Sequence, residues 1–90
     1  MDKSWLKKQV TAEEIIKTIE TEFNKYELDP QILVRYRKKD IDPFLNKIKS
    51  GDEVWFFSSP DDTWMSCCGR EGYVIYRNGK EKETLITRLN

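Results

Sequence analysis

The chain has 90 residues, with 16 basic and 16 acidic side chains that cancel, 38% apolar and 12% aromatic residues, and no histidine. That length makes one domain, residues 1–90, and excludes a second; a chain so short buries only roughly 60–65% of the surface its unfolded form exposes, so its core must be compact and rest on large rings. Zero net charge supplies no global field to draw in nucleic acid or an anionic membrane, and the lack of histidine removes the usual base for a serine or cysteine nucleophile.

Residues 1–9, with Trp5 and Leu6 among lysines, have no clear period and read as an arm, either docked on the domain through its tryptophan or flexible. From residue 10 the signals sharpen. Thr11 followed by Glu14 is a capping box, Val10 with Ile15 has the spacing of a hydrophobic staple, and Ala12, Ile15, Ile16, Ile19, Phe23 and Tyr26 recur on one helical face. This predicts a helix from Ala12 to about Tyr26. After the break at Asp29-Pro30, residues 31–39 carry two patterns: Ile32, Val34 and Tyr36 alternate as in a strand, while Asp29 as cap and Pro30 at the first position would open a helix. The β-branched and aromatic content favours the strand.

Asp42-Pro43 repeats the cap-and-proline signal, and Phe44, Leu45 and Ile48 fit a short helix stopped by Ser50-Gly51. Residues 53–58 read as a strand apolar on both faces, Val54 and Phe56 on one and Trp55 and Phe57 on the other. Ser59-Pro60-Asp61-Asp62 then predicts a second short helix, with Ser59 as cap and Gly69 as its stop. Two alternating runs, 72–77 and 83–89, flank Asn78-Gly79 and make a hairpin. The sum is an α+β, two-layer domain: a mainly antiparallel sheet of three to four strands with the first helix packed on one face, plus two short helices.

Chemistry has few footholds. Cys67 and Cys68 with Arg70 nearby suggest a thiol nucleophile, but they sit at the helix end where the dipole disfavours an anion, so they read as structural, at least one of them buried. Asp61, Asp62 and Glu71 are explained by helix capping. The basic run Arg35-Tyr36-Arg37-Lys38-Lys39 reads as a solvated edge, since it could neutralise only a few phosphates. Residues 31–50 are largely basic and residues 51–71 largely acidic, which suggests either pairing between the two blocks within the fold, the plainer reading, or a two-signed surface presented to a partner. No catalytic residue, cofactor motif or metal cluster is indicated. No run approaches the ~18 apolar residues that span a bilayer, and adjacent cysteines cannot staple distant segments, both of which agree with the cytoplasm.

The residues Gly51-Asp52-Glu53, Trp55, Phe57, Ser59-Pro60, Trp64, Cys68-Gly69-Arg70, Gly72-Tyr73 and Arg77-Asn78-Gly79 resemble a pattern of small uncharacterised bacterial proteins. The resemblance covers the last 40 residues, implies a compact bacterial cytoplasmic protein, and carries no catalytic role. The expectation is a small non-enzymatic interaction or regulatory protein, working with a protein partner or as a homodimer through Trp55, Phe57, Trp64, Arg70 and Tyr73 near the strand-to-helix junction. The alternative is a thiol-dependent enzyme or ligand binder using Cys68 and Arg70.

Overall fold

The computed structural model describes residues 1–90. Four strands, β1 (Leu6–Gln9), β2 (Glu53–Ser58), β3 (Arg70–Arg77) and β4 (Lys80–Leu89), form one antiparallel sheet in the order β1-β2-β3-β4. Helices α1 (Ala12–Lys25), α2 (Pro30–Tyr36) and α3 (Asp42–Leu45) cover one face, and α4 (Asp61–Met65) lies between β2 and β3. The molecule measures 37 × 36 × 18 Å, and its short dimension is that of a sheet with one layer of helices packed about 10 Å above it.

The α1 start forms as the sequence dictates. Thr11 Oγ1 accepts the Glu14 N–H at 3.2 Å and Glu14 Oε1 accepts the Thr11 N–H at 3.1 Å, which satisfies two of the helix's free donors. The helix then buries Ile15 and Ile19 against Val54, Tyr73, Ile75 and Leu85 of the sheet and Ile41 and Phe44 of the neighbouring helix. Each such side chain stabilises the fold by about 1.5–3 kcal/mol. The hairpin closes through Asn78 and Gly79 at φ 54° and 75°, the two left-handed positions of a type I′ turn.

Residues 31–39 are helix, not strand. Asp29 Oδ1 accepts the Gln31 N–H at 2.9 Å and Pro30 occupies the first turn, so the cap overrides β propensity. The alternation had placed Ile32 and Val34 inside; the helix turns both to solvent and packs Leu33 and Tyr36 on the core. The helix widens at Arg37–Ile41, where the Asp42 N–H reaches back five residues to the Arg37 carbonyl in a π turn. The cause lies one residue on: Pro43 has no N–H for the Lys39 carbonyl and its ring would press on it. The wide turn also matches the five-residue gap between Tyr36 and Ile41, keeping both on the core side. Asp42 therefore caps nothing; its carboxylate meets Arg37 Nη2 at 3.5 Å, and Arg37 Nη1 reaches Glu20 at 3.6 Å.

Two further expectations are corrected at α4. Ser59 does not cap it. Its Oγ accepts the Arg70 N–H at 2.9 Å and bonds the Thr63 hydroxyl at 2.7 Å, while its own N–H donates to the Arg70 carbonyl at 3.0 Å, so Ser59 joins the end of β2 to the start of β3. Nor does Gly69 stop the helix: it ends at Met65, and Cys67 takes the left-handed turn at φ 60°. Gly69 is there to receive the Trp64 indole, which lies where its Cβ would be.

The face of the sheet opposite the helices is partly covered by the chain itself. Phe57 and Val74 are fully buried yet stand apart from the helix-side core. The first residues account for this. The amino group of Met1 lies 3.0 Å from Glu81 on β4, while Leu6 pairs with Phe57 at the β1–β2 edge, so residues 1–5 cross the sheet diagonally with Trp5 half-buried. The arm is thus ordered, and its last residues continue as the edge strand β1. No helix is long and apolar enough to cross a membrane.

Candidate functional site

A cleft of about 520 Å³ opens on the helix side, between α1 and the sheet. Its floor is Phe56 and Tyr73, neighbours across β2 and β3 whose rings meet at 5.7 Å and 58°. Phe23 and Tyr36 form one wall, stacked at 6.2 Å and 26° between α1 and α2. Tyr26 stands at the mouth, 63% exposed. Thr18, Glu22, Glu71, Thr87 and Arg88 supply the polar rim. Cleft volumes of about 300–1,000 Å³ lined by rings with a few polar groups are those that enclose ligands or partner side chains.

The cleft lining carries two carboxylates, Glu22 and Glu71, and one cation, Arg88. Burial raises the Tyr73 hydroxyl above the ordinary tyrosine range against an opposing hydrogen bond from Thr18, and the carboxylates of Glu71 and Glu22 push it in the same upward direction. Burial likewise raises Tyr36, with Asp40 and Tyr73 adding to it. Both phenols are therefore neutral in ordinary conditions, able to donate and to accept. Arg88 is drawn to one side, its guanidinium 5.1 Å over the Trp64 ring. There it separates the aromatic cleft from a shallower one of about 410 Å³ lined by Ser58, Trp64, Glu71, Arg88, Leu89 and Asn90.

Of the residues singled out in the sequence, Tyr73 is in the cleft floor and Trp64 lies beside the adjoining one. Trp64 is held by its Nε1 donating to the Ser59 carbonyl at 3.1 Å. Phe57 is buried under the arm, and Trp55 sits half-buried on that opposite face, its Nε1 donating to Glu53 at 3.0 Å. Arg70 is exposed at the start of β3. The five do not form one surface. In the sequence Phe23 and Tyr26 belong to the α1 stripe, Tyr36 to an apparent strand alternation and Phe56 to one face of the two-faced strand; that Phe23 and Tyr36 belong to one wall depends on α2 being a helix.

The cysteines are both free and exposed, against the expectation that one is buried. The Cys68 thiol contacts the Ser66 carbonyl at 3.4 Å, and no group of three or more metal-ligating side chains exists. Nor do the charge blocks pair with each other: the ion pairs of Arg37 and Lys47 run to Glu20, Asp42 and Glu83, none of them in the acidic block. Comparison of the chain with family models, with curated proteins and with solved structures returns no match.

Proposed function

We propose that this chain is a small non-catalytic interaction module, and that its binding face is the aromatic cleft between α1 and the sheet. One observation carries the reading: residues 1–5 run across the second face of the sheet, whereas the helix side holds a cleft lined by five rings, Phe23, Tyr26, Tyr36, Phe56 and Tyr73. Aromatic anchors in a partly closed pocket are where interface energy concentrates. The occupant is a segment of a partner protein. Two free, exposed, adjacent thiols suit a reducing compartment, and the reading includes a cytoplasmic location.

The test compares capture from the native cell extract by the unaltered chain, by Tyr26→Glu at the cleft mouth, and by Arg70→Ala outside it. A partner retained by Arg70→Ala and lost with Tyr26→Glu supports the reading. A partner held equally by both variants, or lost only with Arg70→Ala, removes the cleft from the interaction.

A further inference from the structure

The cleft has two carboxylates, Glu22 and Glu71, against one cation, Arg88, on its aromatic lining, and charge and rings together specify a guest. Glu22 enters from α1 and Glu71 from β3, and neither carboxylate has a salt-bridge partner, although Glu71 stands directly across the ladder from Arg88. Two nearby cations are already engaged, Arg88 on the cleft's own rim among them. Arg88 lies over Trp64, and Arg37 is divided between Glu20 and Asp42. Ring faces attract cations through their quadrupoles, and one ring of this cleft already does so: the Lys25 ammonium lies 5.5 Å over Tyr26 at the mouth. The phenol oxygens of Tyr36 and Tyr73 add acceptors for N–H donors.

We propose that the cleft receives the cationic end of an arginine or lysine side chain carried by the partner, held between the ring faces and the carboxylates of Glu22 and Glu71. This rests on the cleft being the binding face and adds the chemistry of what enters it. A buried guest of this kind gains from both terms at once, since the rings exclude water and the carboxylates then act across a lower dielectric. A neutral apolar side chain would satisfy the rings but gain nothing from Glu22 and Glu71.

The test titrates the ¹⁵N-labelled chain with a blocked Gly-Arg-Gly tripeptide and with the same peptide carrying citrulline, the neutral isostere of arginine, and follows amide shifts. The arginine peptide is expected to shift residues 18–26, 36 and 71–73, and to bind at least about fivefold more tightly than the citrulline peptide, the factor that a cation–π contact of about 1 kcal/mol supplies. Glu22→Gln with Glu71→Gln should weaken arginine binding and narrow its margin over citrulline, leaving the part due to the rings, while the amide dispersion of the folded chain is kept. Equal affinity for the two peptides at these residues overturns the cationic guest but leaves the cleft as a binding face. Shifts confined to other residues, or none with either peptide, overturn both.

Discussion

Arg77 holds Asp52 in a two-pronged ion pair, Nε and Nη2 each 2.8 Å from one carboxylate oxygen, and this joins the entrance of β2 to the exit of β3. The Asp52 side chain is almost fully enclosed, and Arg77 Nη2 also reaches the Lys47 carbonyl at 3.3 Å. The pair therefore ties the loop after α3 to the far end of the hairpin.

This contact sets an acid limit. The hydrogen bonds from Arg77, and after them the Lys49 N–H, hold the Asp52 carboxyl down to about 2, below its ordinary value near 3.9. A depressed carboxylate contributes stability that is present above the unfolded value and is lost as pH falls through the folded one. Denaturant titrations of wild type and Asp52→Asn should differ by a constant amount above pH about 4, and that difference should shrink as pH falls toward about 2. Curves that stay parallel throughout would contradict the role given to the pair.

At the alkaline end the sign reverses. Burial raises Tyr36, Tyr73 and Tyr76, so each favours the folded state below the ordinary tyrosine value of about 10 and loses that contribution as pH climbs through its raised one. Stability should fall above pH about 10, and Tyr73→Phe should make that fall shallower. An unchanged slope in Tyr73→Phe would show that the hydroxyl is open to water.

Two glycines differ in what a methyl group would meet. At Gly69 it meets the Trp64 indole, a side chain able to move; at Gly72 it meets the Leu85 backbone beside the β3–β4 irregularity. Gly69→Ala should cost about 1–3 kcal/mol, the usual range for forced overpacking, and alter tryptophan fluorescence by displacing the ring. Gly72→Ala should cost more and leave that fluorescence unchanged. The opposite order in thermal denaturation would mean that the Trp64 seat is the more rigid of the two.

The partial cover over the second face is testable at Phe57. Phe57→Ala removes a ring with no exposure and should destabilise by about 3–5 kcal/mol. Trp5→Ala, a half-buried position in the arm, should cost less but raise the hydrogen-exchange rates of β1 and of the Phe57 amide together. Exchange that rises in only one of them would separate the arm from the face it covers.

Elements closed by local chemistry could be read from the sequence: the Thr11–Glu14 box, the Asn78-Gly79 turn and the two-faced strand from Val54 to Phe57 each carry their cause within a few residues. Residues 31–39 did not, because Ile32, Val34 and Tyr36 satisfy a strand period while the decisive Asp29 cap acts from outside the run. The π turn was hidden for a related reason, since Pro43 reads as a helix start unless a helix already precedes it. The cleft was the least legible feature. Phe23, Tyr36, Phe56 and Tyr73 come from four elements, and their meeting depends on α2 lying beside α1, which no spacing along the chain records. Tyr73 and Trp64 were singled out for their place near the strand-to-helix junction, and the fold sets them on the helix side beside openings that the sequence does not outline.

The central claim is that partners are engaged from the cleft on the helix side and not from the partly covered side. Replacing Tyr26 or Trp55 in turn with the photo-reactive residue benzoylphenylalanine and irradiating intact cells tests this most directly, because one position lines the cleft mouth and the other lies on the opposite face. The account expects a discrete covalent adduct from position 26 and none from position 55. An adduct from position 55 with none from position 26 would contradict it.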